Sequence, residues 1–230
     1  MRMRKKKNLE PRMEAVAQYM LPAMSEELDF SKAAESTCYW NLEEVFGNSN
    51  QVYLEVGCGK GQFVVEMALR HPEYNYVAVE KVANVIVAAA ELAKEKGVQN
   101  VRFAKCGAEY LPSFLPKKSI AGIYLNFSCP FPKNSYKAHR LTNERFLRIY
   151  KDIMLPGAEI HQKTDNMHFF EYSIECFTME GFVLKNVSLD LHHSDFEGNI
   201  VTEYENRFAS QGFPIYRLEA YLPQPKEEQK

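Results

Sequence analysis

The chain has 230 residues, of which 46% are hydrophobic, so it can bury the core of one sizeable domain, and disordered and fibrous classes are excluded. Its 28 basic and 30 acidic residues leave a net charge of -2, so any affinity for nucleic acid or membrane has to come from local segments. No apolar stretch approaches the roughly 18 residues of a membrane span, and no apolar run follows the charged start, so we expect a cytoplasmic protein. The five cysteines are scattered and include no Cys-x-x-Cys pair, which predicts reduced thiols and no metal site.

After residue 50, short apolar runs rich in β-forming residues alternate with helical periods. This is the pattern of βαβ units wound into a mostly parallel sheet, so the predicted class is α/β. The predicted strands are 51–56, 74–80, 100–105, 120–127 and 158–163, and the predicted helices are 61–71, 82–96, 141–154 and 166–180.

The last third of the chain has a different pattern. Residues 182–191 and 215–222 have strand character, and no helix between them is long enough for a parallel crossover. They are therefore predicted to pair antiparallel at the sheet edge, with 192–214 as their connection. We expect a basic segment and helical lead-in over 1–50, one domain over 51–222, and a polar tail over 223–230.

A Gly-x-Gly-x-Gly loop, formed by Gly57, Gly59 and Gly61, lies between the first predicted strand and helix. Glycines at such a turn let the backbone lie against a ligand. The second predicted strand ends 21 residues after Gly59 in Glu80, whose carboxylate can accept hydrogen bonds from ribose hydroxyls. Loop and acid together predict a nucleoside site; the alternative is a tight turn with incidental glycines.

Glu55, inside the first predicted strand, narrows the choice of nucleoside. A nicotinamide-binding loop places its third glycine one position later and has little use for a carboxylate beside the pyrophosphate. Glu55 is better suited to a cationic or amino-bearing ligand. S-adenosylmethionine has a ribose, an ammonium and a sulfonium but no phosphate, so it is the predicted cofactor.

Motifs spread over nearly the whole chain carry a family resemblance. They are 1–7, 53–63, 124–127, 130–133, 140–142, 162–166, 190–192 and 199–205. With these segments in the family's order, the chain resembles the bacterial tRNA (guanine-N7-)-methyltransferase family, the TrmB type. The resemblance implies a Rossmann-like class I methyltransferase sheet of seven strands, mostly parallel with an antiparallel edge pair. It also implies that the chain binds S-adenosylmethionine and methylates a guanine in the variable loop of tRNA.

The same resemblance assigns site residues. The implied cofactor contacts are Glu55, Gly57, Gly59, Gly61, Glu80, Gly107, Ala108 and Cys129. The implied RNA contacts are Lys133, Asp165, Thr202, Glu203, Tyr204 and Glu205. The sequence leaves open whether the protein is a monomer or a homodimer.

Four positions depart from the family pattern. Cys129 and Phe131 stand where the family usually has the aspartate and tryptophan of Asp-Pro-Trp-Pro-Lys, and Tyr136 aligns with a histidine. Gly107 aligns with an acidic residue that commonly faces the adenine. These departures support an alternative, a non-catalytic or weakly active RNA-binding paralogue. A small-molecule methyltransferase is a second alternative, against which the basic segments argue.

Asp165 is the predicted catalytic residue. Guanine N7 carries an in-plane lone pair, so methyl transfer to it removes no proton. Positive charge develops on the imidazole ring of the base, and a fixed carboxylate beside that ring would stabilise the transition state more than the ground state. The alternative for Asp165 is the N-cap of the helix that follows it.

Two further segments are predicted to face RNA. Residues 202–205 offer a hydroxyl, two carboxylates and a phenol, and the carboxylates suit the donors on the Watson-Crick edge of guanine. By itself this segment would be a solvated polar turn. Residues 133–151 hold six basic residues against one acid, and 1–7 hold five more, which suits phosphate contacts. The basic residues of 133–151 are Lys133, Lys137, Arg140, Arg145, Arg148 and Lys151.

Overall fold

The computed structural model describes residues 8–22 and 38–224. The predicted basic segment 1–7 and the last six residues of the predicted tail lie outside these ranges. The helices are α1 (Leu9–Ala15), α2 (Leu42–Phe46), α3 (Gln62–Arg70), α4 (Ala83–Glu95), α5 (Leu111–Phe114), α6 (Glu144–Ile153), α7 (Met167–Met179) and α8 (Glu203–Ala209). The strands are β1 (Val52–Val56), β2 (Asn75–Val79), β3 (Val101–Ala104), β4 (Ile120–Asn126), β5 (Met154–Thr164), β6 (Val183–Ser188) and β7 (Tyr216–Tyr221).

The strands form one seven-stranded sheet in the order β3-β2-β1-β4-β5-β7-β6. Neighbouring strands from β3 to β5 are parallel, and β7 is antiparallel to both β5 and β6. The predicted mostly parallel sheet with an antiparallel edge pair is confirmed. The order in which consecutive strands are added reverses at β1, since β2 and β3 lie on one side of β1 and β4 lies on the other. Ligands of such sheets bind beyond the carboxyl ends of the strands at this point.

Helices cover both faces of the sheet, as the continuous apolar runs of the parallel strands require. In β2, Tyr76 and Ala78 belong to an apolar cluster with α3 and α4, whereas Val77 and Val79 belong to a cluster with α6 and α7. This alternation follows from the period of two in a strand. Among the described residues, no helix has the length and apolar character that crossing a membrane would need.

The lead-in before the sheet packs against the same body. Arg12 of α1 forms an ion pair with Glu91 of α4 at 2.6 Å, and the Leu21 amide donates to the Phe103 carbonyl of β3 at 2.8 Å. The lead-in therefore extends the layer of α3 and α4 beyond β3. The boundary at residue 50 stays a prediction.

The connection before β7 contains a short helix, α8, that the sequence interpretation did not include. Its N-cap is Thr202, whose Oγ1 accepts a hydrogen bond from the Glu205 amide at 3.1 Å. The Thr-x-x-Glu spacing is the sequence signature of a helix start. The segment 202–205 is therefore the first turn of a helix rather than a free polar turn.

Candidate active site

Backbone conformation explains the glycines after β1. Gly57, Gly59 and Gly61 have φ values of 81°, 55° and 78°, in the left-handed region that favours glycine. Gly57 and Gly59 line cavities at the carboxyl edge of the sheet. Gly61 instead faces α4, because a Cβ at this position would lie 2.7 Å from the Cβ of Ala89. Gly61 thus allows α3 and α4 to approach each other.

Two clefts open along this edge and meet over the glycine loop. The first, which we call the β2–β3 cleft, has a volume of about 590 Å³, and the second, the α8 cleft, has a volume of about 360 Å³. They share Gly57, Gly59 and Phe127. The predicted cofactor residues in the β2–β3 cleft are Gly57, Gly59, Glu80, Gly107, Ala108 and Cys129. The predicted residues in the α8 cleft are Glu55, Gly57, Gly59, Thr202, Glu203 and Tyr204.

Glu80, directly after β2, is held by its own turn. Its Oε1 accepts a hydrogen bond from the Val82 amide at 3.0 Å, which fixes the side chain at the wall of the β2–β3 cleft. Within residues 8–22 and 38–224, Oε2 has no hydrogen-bond partner. It can accept from a ribose hydroxyl in the cleft.

Glu55 lies at the floor of the α8 cleft with 2% of its surface exposed. Oε1 accepts from Asn126 Nδ2 at 3.0 Å, while Oε2 is buried and has no hydrogen-bond partner. Burial raises the pKa of Glu55 to about 7, although Asn126, Lys163 and the backbone amide of Val64 all favour the charged form. A buried carboxylate with an unmet oxygen is costly unless a ligand supplies the partner.

The loop after β4 joins the two clefts under backbone strain. Phe127 and Phe131 adopt φ values of 51° and 41°, which non-glycine residues seldom do, and such strain clusters at functional sites. Arg140, 9% exposed, donates to the carbonyls of Pro130 and Phe131 at 2.9 and 3.1 Å. These bonds hold the loop, and with it Cys129, against the rest of the protein.

Asp165 follows β5, and Asn166, rather than Asp165, caps α7. Asn166 Oδ1 accepts from the Phe169 amide at 2.8 Å, so the N-cap interpretation of Asp165 is wrong. The Asp165 carboxylate has no hydrogen bond or ion pair within the described ranges. Partial burial raises the pKa of Tyr204, the charge of Asp165 raises it further, and Arg207 lowers it. Tyr204 lines the α8 cleft and Cys129 lines the β2–β3 cleft, and we call the region between these two residues and Asp165 the junction.

A buried ion pair fixes the start of α8. Lys163 Nζ donates to Glu205 Oε2 at 2.7 Å and to Asn199 Oδ1 and the Ile200 carbonyl at 3.0 Å each. Glu205 Oε1 contacts Asn199 Nδ2 at 2.7 Å and His192 Nε2 at 2.9 Å. Glu205 is fully buried, and both of its oxygens have partners within the protein.

The remaining residues of the α8 start are exposed. The Glu203 amide donates to Gln62 Oε1 at 2.7 Å, which links α8 to α3 across the cleft. The Glu203 carboxylate lies 3.6 Å from Lys60, with both side chains 69% exposed. Tyr204 is 46% exposed, and its ring lies 5.0 Å from that of Phe127.

The basic cluster of 133–151 is less open than its sequence suggests. Arg140 is occupied by the loop contacts above, and its guanidinium stacks on Tyr172 at 4.3 Å. Arg148 and Lys151 pair with Glu180 at 3.0 and 2.7 Å. Lys133 and Lys137 remain exposed beside the β2–β3 cleft, and neither side chain has an ion-pair partner among the described residues.

Sequence reasoning missed Lys163, Asn126 and Gln62 as site residues. Asn126 had a detectable signal, because it is a polar residue at the carboxyl end of a buried strand, as Glu80 is. Gln62 and Lys163 had none, because their contacts are with residues 141 and 42 positions away in sequence.

The comparisons agree with this geometry. The family model described as "Putative methyltransferase" matches residues 49–218. A relative from Geobacillus sp. (strain WCH70), named tRNA (guanine-N(7)-)-methyltransferase, is 41% identical, covering 99% of this chain and 98% of its own. A relative of the same name from Listeria welshimeri is 50% identical over 77% of this chain and 83% of its own.

Solved structures with low sequence identity show the fold. The 16S rRNA methyltransferase KamB is 19% identical with a TM-score of 0.59, covering 81% of this chain and 96% of its own. A mutant 16S rRNA (adenine(1408)-N(1))-methyltransferase from Catenulisporales acidiphilia, solved with cosubstrate SAM, is 15% identical with a TM-score of 0.53, covering 87% and 94%. The predicted Rossmann-like class I methyltransferase fold is confirmed. Because a relative 41% identical spans 99% of it, this chain belongs to the tRNA (guanine-N(7)-)-methyltransferase family.

Proposed function

We propose that this chain transfers a methyl group from S-adenosylmethionine to N7 of a guanine in the variable loop of tRNA, in the cytoplasm. The observation that carries the proposal is the meeting of two clefts over the glycine loop. The β2–β3 cleft gathers the predicted nucleoside contacts together with Cys129, and the α8 cleft is lined by Tyr204, beside which we place the base. Family membership supports the same activity.

The residues present fit S-adenosylmethionine. Glu55 Oε2 is a buried acceptor without a partner, and a ligand ammonium would supply the missing donor and the missing charge. Glu80 Oε2 can accept from a ribose hydroxyl, and Gly57 and Gly59 allow the backbone to lie against the ligand. The site therefore matches both the charge and the nucleoside of this cofactor.

S-adenosylmethionine supplies a methyl group on a positively charged sulfur, and transfer of that methyl moves the positive charge to the guanine ring. The chain's task is to orient the base and to stabilise this new charge. Asp165 has a partner-free carboxylate near Tyr204 and is the group we assign to that stabilisation. No proton has to leave N7, so the site needs no general base.

Positioning falls to the start of α8. The ion pair between Lys163 and Glu205 and the Thr202 cap hold the first turn of α8, so Tyr204 is presented at the junction from a fixed backbone. Tyr204 and Phe127 offer ring surfaces on which an unstacked base can lie. Among the predicted RNA contacts, we assign Glu205 to positioning, because both of its oxygens are already used.

Phosphate contacts are assigned to the exposed lysines. Lys133 and Lys137 lie on the loop that borders the β2–β3 cleft, and they would place RNA beside the junction without reading its sequence. Affinity for tRNA should therefore fall as salt concentration rises.

The proposal is tested with an unmodified tRNA pool and cofactor carrying a labelled methyl group. We expect label in tRNA and chain cleavage at one variable-loop guanine after treatment specific for N7-methylguanine. Cofactor binding in calorimetry with no label in any tRNA would contradict the proposal and favour the non-catalytic paralogue.

Cys129 is the observation that favours that second candidate. It occupies the junction where the family usually has a carboxylate, and Tyr136 lines the same cleft. If the chain is a weakened relative of an active enzyme, changing Cys129→Asp together with Tyr136→His should raise single-turnover methylation at the same guanine. A fall in the rate on the natural tRNA would show instead that the site is built around Cys129.

A further inference from the structure

Glu109 lies in the wall of the β2–β3 cleft, and its carboxylate is only half paired. Oε1 forms an ion pair with Lys81 Nζ at 3.0 Å, and the Glu109 side chain is 15% exposed. Oε2 is buried and has no hydrogen-bond partner. A surface ion pair would leave this second oxygen to water, so the buried position of Oε2 calls for another donor.

The carboxylate of Glu109 occupies space that Gly107 leaves open. A Cβ built on Gly107 would lie 2.6 Å from Glu109 Cδ, with both carboxylate oxygens closer than normal contact. Gly107 has φ of -89°, which any residue can adopt. Backbone conformation therefore does not require glycine here, and a larger residue at 107 would displace the carboxylate that now occupies this space.

The strand order fixes which part of a nucleoside meets this carboxylate. Gly107 and Glu109 follow β3, Glu80 follows β2, and Gly57 follows β1, so these groups succeed one another along the edge of the sheet. With ribose at Glu80 and the amino acid end over the glycine loop, the base lies toward Glu109. The only strong hydrogen-bond donor on adenine is its exocyclic amine.

We infer that Glu109 reads the adenine of the cofactor by accepting a hydrogen bond from its 6-amino group through Oε2. Rotation about the terminal torsion, which is soft in glutamate, turns this oxygen toward the cleft, and the exposed side chain of Lys81 follows Oε1 as it moves. The inference rests on the proposed function, since it takes S-adenosylmethionine as the ligand. It adds a specificity-determining residue to the cofactor site.

The test compares two ligands that differ only in the donor. S-adenosylhomocysteine and its purine analogue, with hydrogen in place of the 6-amino group, are titrated into the full chain by calorimetry. Losing a hydrogen bond to a charged acceptor should weaken the analogue by about 10- to 150-fold in the unmutated chain. In Glu109→Ala the two ligands should bind within about twofold of each other.

A rescue variant tests the placement. Gly107→Asp with Glu109→Ala should restore the preference for the amine, because the second change frees the space that the new side chain needs. Glu95→Ala, at the exposed end of α4, is the matched control and should keep the unmutated ratio.

The outcomes separate the inference from the proposed function. Equal affinity of the unmutated chain for both ligands, or an unchanged ratio in Glu109→Ala, would overturn the role of Glu109 while leaving the methyltransferase intact. No binding of either ligand to the unmutated chain would instead remove the proposed function. Because the first comparison needs no mutation, it holds even if Glu109→Ala folds poorly.

Discussion

Two buried glutamates near the carboxyl edge of one sheet differ in whether their oxygens have hydrogen-bond partners. Glu205, at the α8 side, is fully buried and shares its two oxygens among Lys163, Asn199 and His192. Glu55, at the glycine loop, is 2% exposed but leaves Oε2 without a partner. The first has partners for both of its oxygens within the protein, and the second has a partner for only one.

This difference distinguishes a carboxylate that stabilises the structure around the site from one that we propose binds the ligand. Burial lowers the pKa of Lys163, and the contact with Glu205 raises it again, so this pair keeps its charges by mutual contact. For Glu55, burial outweighs Asn126 and Lys163 and raises the pKa to about 7. Whether a carboxylate near a cleft can bind a ligand thus depends on whether its oxygens lack hydrogen-bond partners in the protein, not on its position in a motif.

The largest expected effect is a loss of stability on breaking the buried ion pair between Lys163 and Glu205. Glu205→Ala should lower the free energy of unfolding by about 3–5 kcal/mol, because it removes the only carboxylate that contacts the buried Lys163 ammonium among the described residues. Urea unfolding, followed through the fluorescence of the buried Trp40, measures this change.

Glu203→Ala is the matched control for Glu205. Its carboxylate is 69% exposed and 3.6 Å from Lys60, so it should change stability by less than about 0.5 kcal/mol. Similar losses in the two variants would mean that the buried pair contributes no more than an exposed one.

Asp165 differs from both glutamates, because its carboxylate is only partly buried and neither oxygen has a partner within the described ranges. Asp165→Asn should lower turnover by about 100- to 1000-fold, the usual loss when a group that stabilises transition-state charge is removed. Cofactor affinity and stability should stay nearly unchanged. Single-turnover kinetics on one tRNA transcript, with calorimetry of cofactor binding, measure both quantities.

Asn166→Ala is expected to have the reverse pattern of effects, with a loss of stability and almost no loss of turnover. It removes the cap of α7, so it should lower stability by about 1 kcal/mol and leave turnover almost intact. If turnover falls equally in both variants, the effect of Asp165 acts through the helix start and not through its charge.

The sequence predicted the parts of this site that are local in the chain. The mostly parallel sheet, the glycine loop and the positions of Glu55 and Glu80 next to it all follow from strand, turn and helix signals within about 30 residues. The start of α8 is also predictable, since Thr202 and Glu205 have capping-box spacing, although the same residues are equally compatible with an exposed polar turn.

The parts that could not be predicted depend on distant contacts. A lysine is normally exposed, and nothing in the sequence shows that Lys163 is buried against Glu205, 42 residues away. Likewise, Gly107 stands where the family has an acid, and the sequence does not show that the carboxylate of Glu109 lies in the space beside it. The charge of residues 133–151 was overestimated for the same reason, since Glu180 pairs with two of the cations from another helix.

A smaller effect than the loss of turnover at Asp165 concerns Glu55 and appears as a pH dependence of ligand affinity. With a pKa of about 7, Glu55 is mostly protonated at pH 6 and mostly charged at pH 8 in the free protein. An ammonium ligand needs the charged form, so affinity for S-adenosylhomocysteine should rise about tenfold from pH 6 to pH 8. Calorimetry at pH 6, 7 and 8 measures the rise.

The same pKa requires the free energy of unfolding to fall as pH rises, while ligand affinity increases. The folded protein holds the proton on Glu55 more tightly than the unfolded chain, whose carboxyl titrates near 4.5. This contribution to stability is complete below that pH and is lost as pH rises through about 7, so the free protein becomes less stable while cofactor affinity increases. Glu55→Gln should abolish both slopes. Because the amino group of the ligand titrates identically with either protein, a slope in affinity that persists in Glu55→Gln belongs to the ligand, and the unmet oxygen of Glu55 is then not its acceptor.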